Sequence, residues 1–144
     1  MNSRAMDILL VEDNQGDVRL TREAFKEGHV PSRLNVVGDG IEAITYLRQD
    51  APFGSATRPD LILLDLNLPR RNGREVLEII KNDEDLRRIP VVILTTSKAE
   101  QDIINSYDLH ANCYITKPVD LEQFMRVVRM LQDFWFTTVK LPQK

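Results

Sequence analysis

Polar residues that could carry out metal or phosphate chemistry follow four apolar runs of this 144-residue chain. The carboxyl ends of parallel strands meet at one edge of an open sheet, and ligands collect there, near the point where strand order reverses. The residues just past the four runs are Glu12 and Asp13, Asp65 and Asn67, Thr95 and Thr96, and Lys117. Folding into such a sheet would bring three carboxylates, hydroxyls and one ammonium group together.

The three carboxylates predict a site for a hard cation. Glu12, Asp13 and Asp65 would repel one another unless a positive charge neutralised them. Mg²⁺ suits such a site, because it binds one or two carboxylates, keeps several waters and completes its shell with phosphate oxygens. Zinc is disfavoured, since neither His29 nor His110 lies at a predicted strand end.

One of these carboxylates could also act as a nucleophile. An aspartate that attacks phosphorus forms an acyl phosphate, and the group in transfer needs a metal ion, a lysine and hydroxyl or backbone donors around its spread negative charge. Asp65, Mg²⁺, Lys117 and Thr95 would supply these parts. Taken singly, Asp13 could be a helix cap, Thr95 a helix-entry residue and Lys117 a surface lysine. Their coincidence at separate strand ends favours phosphoryl chemistry.

Alternating apolar runs and amphipathic stretches predict an α/β fold with a parallel sheet covered on both faces. The predicted strands are Ile8–Val11, Leu34–Val37, Leu61–Leu64, Val91–Leu94 and Cys113–Thr116. Five helices are marked by apolar residues at helical spacing: Val18, Leu20, Ala24 and Phe25; Ile41, Ile44 and Leu47; Val76, Leu77 and Ile80; Ile103, Ile104 and Tyr107; Leu121, Phe124, Val128 and Leu131. Right-handed crossovers then favour a compact (βα)₅ sheet, with Asp50–Pro59 as a longer surface loop.

The bulk composition fits one globular domain in water. Hydrophobic residues make up 42% and charged residues 28% of the chain, values close to ordinary soluble composition that suggest neither a disordered nor a membrane class. The amino terminus reads neither as a signal peptide nor as a spanning helix, and the single Cys113 agrees with a reducing compartment. We therefore expect a cytoplasmic protein. A net charge of −3 provides no general basic field for nucleic acid.

From Asp7 to about Phe136 the chain resembles the receiver domain of two-component response regulators. The resemblance rests on LLVED, LILLDLNLPRRNG, VVILTT and YITKP, which carry Glu12, Asp13, Asp65, Asn67, Pro69, Gly73, Thr95, Tyr114, Lys117 and Pro118. The separations of 30 residues from Asp65 to Thr95 and 52 from Asp65 to Lys117 also agree with the family. The resemblance implies a flavodoxin-like, doubly wound sheet of strand order 2-1-3-4-5, with a receiver domain over 7–136 and a tail over 137–144.

The resemblance also implies roles for the acidic residues. Asp65 corresponds to the aspartate that a partner sensor histidine kinase phosphorylates. Glu12, Asp13 and Asp65 correspond to the carboxylates that hold Mg²⁺, and the main-chain carbonyl of Asn67 corresponds to a further ligand.

The remaining motif residues correspond to the signalling parts of the family. Thr95 and Lys117 resemble the pair that contacts the phosphoryl oxygens, Tyr114 resembles the aromatic that rotates on activation, and the Lys117–Pro118 bond is one that is usually cis. On sequence grounds alone, Thr95 and Tyr114 could be packing residues. About eight residues follow Phe136, too few for a DNA-binding unit. We therefore expect a protein that catalyses only its own phosphoryl transfer and dephosphorylation, and that signals through altered protein contacts.

A narrower resemblance is to the response regulators of cyanobacterial and bacterial phytochromes. It rests on LILLDLNLP, GREVL, RIPVVILTTS, NCYITK and the aromatic tail FWFTTVKLP, and it implies a red-light-sensing kinase as the partner. His110 departs from the family, because many receivers have a glycine there to end the fourth helix. Phe134, Trp135 and Phe136 exceed what one helix face buries, and exposed aromatics mark interfaces. We expect a homodimer through the fourth helix, fifth strand and fifth helix, the α4-β5-α5 face of the family.

Two other classes of protein compete with this interpretation. A phosphatase with an aspartyl nucleophile usually needs a second carboxylate two residues further on, where this chain has Asn67. A flavin or nucleotide carrier of the same fold would be supported by a glycine-rich phosphate loop, and neither G-x-x-x-x-G-K-[ST] nor G-x-G-x-x-G occurs.

Overall fold

The computed structural model describes residues 5–26, 31–66, 68, 72–95 and 113–116, together with residues 122, 126 and 129. Five strands and three α-helices lie within these ranges. In chain order they are β1 Met6–Val11, α1 Gln15–Lys26, β2 Ser32–Val37, α2 Gly40–Leu47, β3 Leu61–Asp65, α3 Gly73–Asn82, a 3₁₀ turn Leu86–Arg88, β4 Val91–Thr95 and β5 Cys113–Thr116.

The five strands form one parallel sheet in the order β2-β1-β3-β4-β5. The chain starts in the second position, moves outward to β2 and then returns past β1 to β3, so strand order reverses between β1 and β3. This arrangement confirms the predicted flavodoxin-like fold and its strand order. It also places the carboxyl ends of β1 and β3 side by side, where Val11 pairs with Leu64.

The central strands are aliphatic because both of their faces are covered. Every residue of β1, β3 and β4 is buried, as is typical of parallel strands between two helix layers. Since successive side chains point to opposite faces, Leu9 and Leu64 pack in one core cluster with α2 and α3. Ile8 and Leu63 pack in the other cluster with α1.

The helices bury the faces that their spacing predicts, with one exception. Val76, Leu77 and Ile80 of α3 are fully buried. In α2, however, Ile41 is 41% exposed. Ala43 and Tyr46 are buried there in addition to Ile44 and Leu47, so the buried face of α2 is rotated away from Ile41.

The predicted loop before β3 contains neither helix nor strand between residues 51 and 60. Its aromatic Phe53 packs on Tyr46 of α2, with ring centroids 5.2 Å apart. The predicted fourth helix and the turn at His110 lie outside the described residues. Of the predicted fifth helix, Glu122, Arg126 and Arg129 are described, and all three are helical.

Candidate metal and phosphoacceptor site

The two acidic residues after β1, Glu12 and Asp13, differ in burial. The N–H of Glu12 donates to the carbonyl of Val37 at 3.0 Å, which extends the β1–β2 pairing by one residue. The Glu12 side chain is buried, and its Oε2 accepts the N–H of Asn14 at 3.3 Å. Asp13 is exposed. Asn14 then caps α1 by accepting the N–H of Asp17 at 2.9 Å, so the chain turns away directly after the two acids.

Asp65 ends β3 and is buried, with 2% of its surface exposed. It pairs with Leu94 of β4, and the next residue continues the pairing, because the N–H of Leu66 donates to the Leu94 carbonyl at 3.1 Å. The Leu66 side chain is buried in the cluster beneath α2 and α3. The backbone of Asp65 is therefore held by its own strand and by the first residue beyond it.

Glu12, Asp13 and Asp65 come together as the sequence predicts. Each offers one carboxylate oxygen, and these oxygens all lie within 4.8 Å of one another. In an octahedral Mg²⁺ shell with bonds of about 2.0–2.1 Å, neighbouring oxygens are about 3 Å apart and opposite ones about 4 Å. Small side-chain adjustments would close the observed group around such an ion. The donors are all oxygens, which is the set that Mg²⁺ prefers, and the prediction of a divalent-metal cofactor is confirmed.

Thr95 ends β4 and lies at the same edge of the sheet. It is fully buried and pairs with Thr116 of β5, while its neighbour Leu94 pairs with Asp65. A hydroxyl therefore stands one strand away from the buried aspartate, in the position that the sequence predicts.

The first turn of α3 contacts the backbone at the end of β3. Asn72 and Glu75 form a capping box, in which the Asn72 side chain accepts the N–H of Glu75 at 2.9 Å and the Glu75 side chain accepts the N–H of Asn72 at 3.2 Å. The N–H of Gly73 donates to the carbonyl of Leu66 at 3.1 Å. In the sequence Gly73 is recognisable only as a motif residue, and its contact with Leu66 is not predicted. A glycine directly inside a helix start, where it has low helix propensity, was the signal that could have indicated it.

Several predicted site residues lie wholly or partly outside the described set. Asn67, Lys117, Phe134, Trp135 and Phe136 are not described. Tyr114 belongs to β5, where its backbone pairs with Ile93, but its side chain is not described. Their predicted roles stay predictions.

An acidic cation site at the switch point of a 2-1-3-4-5 parallel sheet, with a buried hydroxyl one strand away, defines the class of Mg²⁺-dependent phosphoacceptor domains. Sequence comparison assigns the family within that class. The model of the response regulator receiver domain matches residues 8–129, and the chain belongs to this family.

The relatives also agree with the narrower resemblance. The chain is 49% identical to the response regulator Rcp1 of Synechocystis sp. over an alignment of 135 residues. This alignment covers 94% of this chain and 92% of Rcp1. It is similar to the crystal structure of the phosphorylated cyanobacterial phytochrome response regulator RcpA, with 53% identity, a TM-score of 0.84 and coverage of 97% of this chain and 100% of RcpA. It is also similar to the Mn²⁺-bound form of Rcp1, with 48% identity, a TM-score of 0.82 and coverage of 96% and 99%. The protein is thus a response regulator related to those of phytochromes.

Membership of this family implies a histidine kinase as the upstream partner. Within the described ranges, none of the helices has the length and apolar character needed to cross a membrane.

Proposed function

We propose that Asp65 accepts a phosphoryl group from a sensor histidine kinase. A carboxylate oxygen of Asp65 would attack phosphorus, forming an O–P bond while the P–N bond to the kinase histidine breaks; the released imidazole keeps the electron pair and can take up a proton. The observation that carries the proposal is the convergence of Glu12, Asp13 and Asp65 at the switch point of the sheet. Of the three acids, Asp65 is the one that ends the central strand β3.

The site residues would bind two different groups, the Mg²⁺ ion and the phosphoryl oxygens. Glu12, Asp13 and Asp65, with the main-chain carbonyl of Asn67, would hold Mg²⁺, which when bound offsets the negative charge of the carboxylates and of the incoming group. Thr95 and Lys117 would bind the phosphoryl oxygens. The buried position of Thr95 beside the Asp65–Leu94 pairing supports this role.

Signalling would follow from the same contacts. A phosphoryl group held by Thr95 would favour one of two arrangements of the β4–β5 edge, and Tyr114 would rotate with it. We place the receiver domain at residues 7–136 and the tail at 137–144. The protein would turn over no substrate beyond its own phosphoryl group.

The partner kinase would be a phytochrome. The support is the identity of about half the residues with RcpA, a cyanobacterial phytochrome response regulator, over nearly the whole of both chains. A homodimer through the face made by the fourth helix, β5 and the fifth helix, including Phe134, Trp135 and Phe136, would carry the output. The cytoplasm would be its location, because a histidine kinase draws its phosphoryl group from ATP there.

The proposal is tested by phosphorylation with a small donor. The full chain is incubated with Mg²⁺ and acetyl phosphate, and intact-mass and peptide mass spectrometry locate the product. We expect one base-labile phosphoryl group on Asp65, no modification of Asp65→Asn, and normal modification of the control Asp50→Asn, which changes an exposed aspartate in the loop before β3.

Three outcomes would contradict the proposal. Modification of Asp65→Asn at the wild-type level would remove Asp65 as the acceptor. Continuous release of phosphate from many esters would indicate a phosphatase. A purified protein that carries flavin or nucleotide, and that no donor modifies, would indicate a carrier.

A further inference from the structure

We propose that Gly73 is a positioning residue for the phosphoacceptor: the absence of a side chain there lets the first turn of α3 rest directly on the backbone of Asp65 and Leu66. The inference rests on the proposed role of Asp65. It concerns how the fold holds the acceptor in place, and it assigns no catalytic contact to Gly73 itself.

The space beside Gly73 is filled by backbone and not by mobile side chains. A Cβ atom built on Gly73 would lie 2.4 Å from the carbonyl oxygen of Asp65, 2.6 Å from the Cα of Leu66 and 3.1 Å from the carbonyl carbon of Asp65. The first two distances are shorter than real Cβ atoms adopt, and the third is shorter than an ordinary van der Waals contact. The need for glycine is steric, since Gly73 is not among the residues with positive φ.

Both the strand end and the first turn of α3 are held by other contacts, so moving either one would break hydrogen bonds or packing. On the strand side, Asp65 pairs with Leu94, and the N–H of Leu66 donates to the Leu94 carbonyl. On the helix side, Val76 and Leu77 are fully buried in the core, and the Asn72–Glu75 capping box fixes the first turn. A methyl group at residue 73 must therefore displace the Asp65–Leu66 backbone, tilt the start of α3, or do both.

The displaced backbone belongs to the metal and phosphoryl site. The Asp65 carboxylate is part of the acidic cluster, and the predicted carbonyl ligand, Asn67, follows Leu66 directly. Shifts of about 1 Å in a reacting group can cost on the order of 100-fold in rate. Gly73→Ala should therefore weaken Mg²⁺ binding and slow phosphorylation even in molecules that remain folded.

Four full-length proteins test the inference: wild type, Gly73→Ala, Gly54→Ala and Val76→Ala. Gly54 is the matched glycine control, because a Cβ there meets no atom within 4 Å. Val76 is the stability control, because its truncation opens a cavity beneath α3 while leaving the contact at Gly73 unaltered. Isothermal titration with MgCl₂ gives the Kd, acetyl phosphate at saturating Mg²⁺ gives the phosphorylation rate, and urea unfolding gives the fraction folded.

We expect Gly73→Ala to raise the Mg²⁺ Kd about 10-fold and to lower the phosphorylation rate between about 10- and 100-fold, per folded molecule. Gly54→Ala should match the wild type, and Val76→Ala should lose stability but keep the wild-type Kd. Wild-type Kd and rate in folded Gly73→Ala would overturn the inference. It would also be overturned if Val76→Ala raised the Kd as much as Gly73→Ala, because the effect would then be general destabilisation.

A second variant covers the case in which Gly73→Ala does not fold. The double change Asn72→Ala, Glu75→Ala removes the capping box without adding atoms beside Asp65, and should raise the Mg²⁺ Kd several-fold, whereas Glu78→Ala on the exposed face of α3 should not. An unchanged Kd in the double variant would overturn the inference. Failure of the proposed function is seen separately, as a wild-type protein that acquires no phosphoryl group on Asp65.

Discussion

The two ends of the sheet both bury aspartates, but they balance the charge differently. At the amino end, the side chain of Asp7 is 3% exposed, and Arg33 donates to it twice, from Nε to Oδ1 at 2.9 Å and from Nη2 to Oδ2 at 3.1 Å. The N–H of Asp7 donates to the carboxylate of Asp60 at 2.9 Å. The charge of Asp7 is thus balanced by a guanidinium that the neighbouring strand supplies.

At the carboxyl end, the fold brings acids to acids. Glu12, Asp13 and Asp65 offer oxygens within 4.8 Å of one another, so binding of a cation from solution is favourable there. A buried aspartate therefore forms an ion pair where the neighbouring strand provides an arginine, as at Asp7. It forms part of a cation site where the neighbouring strand leads into further carboxylates, as at Asp65. Because both ends can be altered by single changes from aspartate to asparagine, this difference can be measured.

Asp7→Asn should lower the free energy of unfolding, because the buried Asp7 carboxylate accepts two hydrogen bonds from Arg33 and the substitution removes its charge; solvent around Arg33, whose side chain is 63% exposed, limits the loss. The Mg²⁺ Kd should stay at the wild-type value, since Asp7 lies at the opposite end of β1. Urea unfolding and calorimetric titration measure the two quantities, with Glu23→Gln on the exposed side of α1 as the control. A raised Kd would show that the two ends are not independent.

Asp13→Asn should raise the Mg²⁺ Kd on the order of 10- to 100-fold, because the cluster loses one of its three charges and one ligand oxygen. Isothermal titration measures the effect, and Asp50→Asn serves as the matched control. If Asp13→Asn bound Mg²⁺ as the wild type does, the ion would have to be held by other residues.

In Mg²⁺-free buffer the same Asp13→Asn change should stabilise the protein by about 1 kcal/mol. Removing one of several like charges a few ångströms apart relieves repulsion, and the effect is modest because Asp13 faces solvent. Urea unfolding in EDTA checks this. The sign is opposite to that for Asp7→Asn, and a loss of stability in both variants would erase the contrast between the two ends.

The smallest effect on stability should come from Asp83, a carboxylate that accepts backbone N–H groups. The N–H groups of Leu86 and Asp85 donate to Asp83 Oδ1 at 3.0 and 2.9 Å, and these bonds lower the pKa of Asp83. A pKa that is lower in the folded state contributes stability above the unfolded value of about 3.9, and this contribution disappears as the pH falls through the folded value. Asp83→Asn should therefore lose slightly less stability than the wild type between pH 5 and pH 3. Identical pH slopes in urea unfolding would contradict this.

Much of the site could be predicted because each residue occupies a fixed place relative to a strand. The aliphatic runs that end at Val11, Leu64 and Leu94 mark buried strands, and chirality leaves few ways to order them. Once the order is known, the polar residues after each run must share an edge. The sequence could not reveal that Glu12 is buried whereas Asp13 is exposed, because adjacent residues past a strand end have no fixed face.

The pairing of Asp7 with Arg33 was not predicted either. The two residues are 26 positions apart, and their contact depends on the register that aligns Met6 with Ser32. The exposure of Ile41 also depends on context, since helical periodicity identifies a set of candidate core positions but not which of them the neighbouring elements cover.

The order of apolar and polar residues by itself determined the α/β class, the positions of the strands along the chain and the acids that follow them. These features are local, because burial is a consequence of the pattern. Only the tertiary structure decided which carboxylates are neutralised by the protein and which face one another. It also decided that the backbone at Asp65 leaves no room for a side chain at residue 73. These outcomes depend on distances between segments far apart in the chain, and a pattern along one chain contains no such distances.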